Sequence, residues 1–173
     1  MELDVDQLRE SYTLTNNEKS FVKLHARGER GTLVLALLLK ARVALGYFPP
    51  PEALPHSTVF HISDQLVISA ALQEDANYRT SLHRYRNTCR KRLKSIPFSE
   101  QNIQLVVRQI HVSTKTMSDP ADLINVAIET LIKESIELPA FSTLDRLIKR
   151  ERKTVHKQMY ARISGGLTQQ HRE

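Results

Sequence analysis

Along this chain, apolar residues recur at three- and four-residue steps, and β-branched runs that alternate strictly with polar residues are absent. That spacing gathers the apolar positions of each segment on one helix face, whereas a half-buried strand needs a period of two. Prolines fall between the periodic segments. Inside one they would remove a backbone donor and clash with the preceding turn. The pattern predicts an all-α protein.

The first clear helix opens at Thr15, whose hydroxyl can cap the Glu18 amide while the Glu18 side chain reaches back. Phe21, Val22 and Leu24 form its apolar face, and Gly28 ends it. A second helix, from about Glu29 to Leu45, is apolar nearly all round and should lie at the centre of a first core. Gly46 and the Pro49-Pro50-Pro51 run stop it. Ser57 is a candidate N-cap for a helix carrying Val59, Phe60, Ile62, Leu66 and Val67. After a weak break near Ser69, a short Ala70–Gln73 piece would make a helix-turn-helix-like corner. The next helix runs from Arg79 to Ile96, with Leu82, Tyr85, Cys89, Leu93 and Ile96 as its packed stripe. Its opposite strip is Arg79, His83, Arg86, Arg90 and Lys94.

Ile96-Pro97 is the predicted boundary between two helical modules, 1–96 and 97–173. Ser99 then caps a helix bearing Ile103, Val106, Val107 and Ile110. Asp119-Pro120 reads as N-cap and first helical residue, with Asp122 favouring the helix dipole. Leu123, Ile124, Ala127, Ile128, Leu131 and Ile132 form the packed face of that helix, which stops before Pro139. Ser142 or Thr143 can cap a last helix with Leu144, Leu147, Ile148, Val155 and Met159 on its stripe. Gly165-Gly166 should end it, leaving a disordered tail after Leu167.

Charge changes the picture. The net charge is +6 over 173 residues, but its distribution says more. Residues 1–18 hold Glu2, Asp4, Asp6, Glu10 and Glu18 against Arg9. Residues 79–94 hold Arg79, Arg84, Arg86, Arg90, Lys91, Arg92 and Lys94 with no acid. Residues 141–162 hold Arg146, Lys149, Arg150, Arg152, Lys153, Lys157 and Arg162 against Asp145 and Glu151. Two basic blocks, each on a helix-period segment, point to a polyanion partner. A solvated face, or pairing of 79–94 with the acidic N-terminal stretch, would give the same pattern.

Other chemistry finds little support. Cys89 is the single cysteine, so no intramolecular disulfide framework exists and the cytoplasm is the expected compartment. No signal layout opens the chain, and the run from Leu33 to Phe48, broken by Lys40 and Arg42, is too short to span a bilayer, so no membrane role is expected. Its histidines do not cluster with cysteines at zinc-ligand spacing, and no glycine-rich phosphate loop is present. No cofactor, metal or catalysis is expected in this chain.

A helix over 120–135, a break at Leu138-Pro139 and a basic helix opening with Ser142-Thr143 have the order of a helix-turn-helix. In that motif the second helix enters the major groove with its first residues facing base edges. An ordinary helical hairpin has the same spacing. On the DNA reading, Ser142, Thr143, Arg146, Lys149 and Arg150 contact bases or adjacent phosphates, and Arg152, Lys153 and Lys157 continue along the backbone. Arg79, Arg84, Arg86, Arg90, Lys91 and Lys94 supply the first module's contacts.

Three stretches carry a family resemblance: Tyr12-Thr-Leu-Thr15 with Phe21, Val22 and the helix to Leu45-Gly-Tyr-Phe48; Tyr78-Arg79, His83 and Ile96-Pro-Phe98; and, most specific, Glu137-Leu-Pro-Ala-Phe-Ser-Thr-Leu-Asp-Arg146-Leu147. From about residue 8 to 165 the chain resembles the N-terminal region of transposases of the replicative Tn-three family, the TnpA type. It departs where some relatives are glycine- and arginine-rich, reading Lys23-Leu-His-Ala-Arg-Gly28, so no DNA contact is carried onto Arg27 or Arg30. The resemblance implies two helical modules that recognise terminal inverted repeats on double-stranded DNA. The partner would be the remainder of the transposase, whose acidic catalytic triad lies far downstream. A free-standing regulator occupying the same ends, or a helical protein–protein adaptor, are the alternatives.

Overall fold

The computed structural model describes residues 5–69, 78–114 and 116–170. Among them there is no strand, only one isolated bridge, and the protein is all-α. Internal contacts divide the chain into two compact units, Met1–Ser95 and Ile96–Glu173.

The first unit is built around α3 (Gly28–Leu45). Ten consecutive residues of it, Thr32 to Ala41, are buried, because α1 (Val5–Tyr12), α2 (Asn16–His25), α4 (His56–Leu66) and α5 (Tyr78–Leu93) all pack on it. Each fully buried leucine there contributes about 1.5–3 kcal/mol relative to exposure. Lys40 belongs to this buried run, its stem packed and its Nζ 3.5 Å from Glu18 Oε1. The other oxygen of Glu18 accepts the Thr15 amide at 2.8 Å, while Thr15 Oγ1 accepts the Glu18 amide. One carboxylate thus closes the expected capping box and neutralises a buried lysine. Gln65 ties α4 to the link between α1 and α2, accepting from the Leu14 amide and donating to the Tyr12 carbonyl.

The second unit is a three-helix core of α6 (Glu100–Ser113), α7 (Pro120–Lys133) and α8 (Phe141–Gln170). Val106, Ile110, Leu123, Ala127, Leu131, Leu144, Leu147 and Ile148 are buried at its centre. Asp119 accepts from the Ala121 amide with Pro120 at the first helical position, as expected. Ser135, in the left-handed region at φ 57°, turns the chain out of α7. Ile96 then bridges to this link: its amide donates to Ser135 O at 2.9 Å, and its carbonyl accepts from Glu137 at 2.8 Å.

Several expectations need correction. An eight-residue α1 precedes the helix at Thr15. The α2 helix ends at His25, and Gly28 opens α3 with φ 68°. Pro55, not Ser57, precedes α4, which closes on Val67 in the left-handed region. The α5 helix ends at Leu93 because Lys94 turns left-handed, so Ile96 leaves the packed stripe and is half exposed. Neither Ser142 nor Thr143 caps α8: the helix begins at Phe141, with the Thr143 and Leu144 amides donating to Ala140 O. It continues through Gly165-Gly166 to Gln170. The Ala70–Gln73 piece and the corner expected around it lie outside the described residues.

Candidate nucleic-acid interface

A helix turns about 100° per residue, which fixes where each basic side chain of α8 faces. Leu144, Leu147, Ile148 and Glu151 are buried and share one side. Arg146, Lys149, Arg150, Lys153 and Lys157 are exposed and centre roughly opposite, with Ser142 among them. The Arg146 Nε donates to Ser142 O at 3.3 Å, and Lys149 pairs with Asp145 at 2.8 Å. Arg152 is half-buried and sits roughly 110° round the helix from the centre of the cationic side. Thr143 is half-buried and turns to a cleft of about 340 Å³, which it lines with Phe98, Ile103, Arg146, Leu147 and Arg150.

Of the two acids of this helix, Asp145 borders the cationic side and pairs with Lys149, whereas Glu151 lies on the buried side. Glu151 is buried, accepting from His111 Nε2 at 2.9 Å and from Arg150 Nε at 2.8 Å. Burial pushes its carboxyl up, but hydrogen bonds and charge from Arg150 and His111 outweigh that and hold it below the usual glutamate value. It braces α8 against α6 and fixes one end of the Arg150 side chain. Sequence counting treats Glu151 as one more surface charge, but its place beside Leu147 and Ile148 on the helical wheel could have signalled burial.

In the first unit, α5 is less uniform than its charge run suggests. Leu82, Tyr85, Cys89 and Leu93 do pack on the core, as expected. The strip Arg79, His83, Arg86, Arg90 and Lys94 lies beside this stripe rather than opposite it, by roughly a quarter turn. Arg86 and Arg90 are accordingly half-buried. Arg90 bonds Asn87 Oδ1 at 2.7 Å and lies 5.3 Å over the Phe48 ring; Arg92 bonds Asn17 and lies 4.4 Å over Phe21. These guanidiniums cover core aromatics through cation–π contact. Arg79, Arg84, Lys91 and Lys94 are exposed. The thiol of Cys89, buried among core residues, is pushed up to about 12.

Among the described residues no three histidine, cysteine or acidic side chains are grouped to hold a metal ion, and no helix is long and apolar enough to cross a membrane. What the helices present is cationic surface with hydroxyls, suited to anionic partners.

The chain belongs to the family described as a domain of unknown function (DUF4158), which matches residues 1–150. Over 123 residues it is 24% identical to the transposase for transposon Tn1546 of Enterococcus faecium. That alignment takes in 70% of this chain and 12% of the length of that transposase.

Proposed function

We propose that this chain binds double-stranded DNA at transposon ends and performs no chemistry, acting as the end-recognition region of a replicative transposase of the Tn-three type. The observation that carries this reading is the cationic side of α8, with Arg146, Lys149, Arg150 and Lys153 opposite the buried stripe and Glu151 hidden beneath. The similarity to a transposase supports DNA as the polyanion. The order α7, link, α8 suits a helix-turn-helix in which α8 reads the major groove. Ser142, Arg146, Lys149 and Lys153 then face the duplex, Thr143 and Arg150 border it, and Arg152 holds a flank. Arg79, Arg84, Lys91 and Lys94 make backbone contacts from the other module, while Arg90, over Phe48, serves mainly to cover its core and Arg86 is half-buried on the same helix.

A gel shift with an inverted-repeat duplex and a scrambled duplex, at two salt concentrations, tests this. Preference for the repeat, weakening steeply with salt as counterions are released, is expected. Equal binding to both duplexes would sink sequence-specific recognition, and no binding would sink the DNA reading.

A further inference from the structure

We infer that the cleft between the entry to α6 and the side of α8 holds one sugar-phosphate unit of a DNA strand, with buried Glu151 as the positioning residue that sets Arg150 at its rim. It rests on the duplex-binding reading and adds a defined backbone anchor to it. The cleft measures about 340 Å³ and belongs wholly to the second unit. Phe98, Ile103 and the buried Leu147 give it an apolar wall, and Thr143, Arg146 and Arg150 a polar one.

Both arginines are held by their inner nitrogens. Arg150 Nε donates to Glu151 Oε1 at 2.8 Å, and Arg146 Nε donates to Ser142 O at 3.3 Å. In a planar guanidinium, a bond at Nε fixes the direction of the outer Nη1–Nη2 edge, the fork that fits phosphate oxygens. Glu151 is itself immobilised: it is buried beside Leu147 and Ile148, and its second oxygen accepts from His111 Nε2 of α6 at 2.9 Å. Its charge offsets one of the two guanidiniums, so what it supplies is orientation. An arginine set in place beforehand loses less freedom when a phosphate arrives. Asp145, the other acid of α8, lies roughly 140° round the helix from Arg150 and pairs with Lys149.

The place of the cleft on α8 points to its ligand. Thr143 and Arg150 sit roughly 60° round the helix from the centre of the cationic side, towards α6. When a helix lies in the major groove its outward side faces base edges, and its flanks face the sugar-phosphate strands. Deoxyribose brings an apolar ring joined to an anion. The ring matches Phe98 and Ile103, and the phosphate oxygens match the Thr143 hydroxyl and the two guanidinium forks. The anchor therefore fixes where α8 sits along the duplex and reads no base.

The test uses the full chain and the repeat duplex, with phosphates replaced one at a time by neutral methylphosphonate and affinity read by fluorescence anisotropy. One replacement is expected to weaken wild-type binding about tenfold, the effect of losing a hydrogen bond between charged groups. Arg150→Ala should abolish the sensitivity at that phosphate and leave the other positions as they were. Glu151→Leu suits the buried site and removes an acid, which by charge alone would tighten binding to DNA. It is expected instead to remove most of the sensitivity at the same phosphate. In the Arg150→Ala background it should add nothing, because both changes act through one guanidinium. Glu151→Gln, whose amide oxygen can still accept from Arg150 Nε, should restore part of the effect. Thermal melts by circular dichroism identify variants that remain folded. Undiminished sensitivity in folded Arg150→Ala, or additive effects of the Glu151 and Arg150 changes, overturns the anchor alone, as does a scan in which no phosphate stands out. Failure of the wild-type chain to bind the duplex instead defeats the duplex-binding reading, and this inference with it.

Discussion

Replacing Glu151 by glutamine keeps the shape of a buried side chain and removes the charge on which two donors converge. The carboxylate side chain is 10% exposed, with His111 Nε2 at 2.9 Å and Arg150 Nε at 2.8 Å. A hydrogen bond to a charged group contributes about 1.5–3 kcal/mol. Both donors stand partly in water, however, His111 at 38% and Arg150 at 66% exposure, so solvent screens the pair. The net loss expected for Glu151→Gln at neutral pH is therefore about 1–2 kcal/mol. The dependence on pH has a definite sign. A carboxyl held below its unfolded value stabilises the fold fully above that value, and the contribution is lost as pH falls through the lower, folded value. The gap between wild type and Glu151→Gln should begin to close below the ordinary value of 4.5. Urea unfolding followed by far-ultraviolet circular dichroism, at neutral pH and in an acid series, measures it. Equal midpoints at neutral pH, or a gap that widens below 4.5, would refute the proposed brace.

The Cys89 thiol, pushed up to about 12, should be about one part in ten thousand thiolate at pH 8. An aromatic disulfide reagent should then leave the native chain unlabelled and react fully once denaturant is added; rapid native labelling would contradict its burial. Leu37 is fully buried at the centre of α3. Leu37→Ala should cost about 2–5 kcal/mol in urea unfolding, because the surrounding helices cannot collapse onto the cavity. On the DNA reading, Arg146→Ala should cost about 1–3 kcal/mol on the repeat duplex and relax preference at one base pair. Lys149→Ala should instead weaken all duplexes alike and lower the salt slope by about 1; competition binding separates the two.

Those elements whose determinants are local were legible in the sequence. The capping box at Thr15, the Asp119-Pro120 start and the Gly46 stop each depend on residues within one turn, and each is found where its chemistry requires. The apolar run of α3 also marked the centre of its core. Features set by tertiary packing were less visible. The helix α1 carries few apolar residues in an acidic stretch, and α3 and α4 pack against it from elsewhere in the chain. Val67, Lys94 and Ser135 close helices in the left-handed region without glycine. That costs about 1–2 kcal/mol each and leaves no compositional mark. At the candidate site, the exposed side of α8 follows from spacing alone. The division of α5 arginines between solvent and ring faces does not, because Phe21 and Phe48 come from distant segments.

The pairing of Ile96 with the Ser135–Glu137 link closes a ring. Two backbone hydrogen bonds fasten the residue before Pro97 to the corner that launches α8, so the entrance and exit of the α6–α7 hairpin are clasped together. The proline looks like the natural place to cut the two halves apart. A fragment beginning there would lack the clasp, returning to the corner the freedom that loop closure had removed. Beginning at Ile96 or earlier would keep it. The severable seam therefore lies on the N-terminal side of the residue that the helix pattern assigns to the preceding helix.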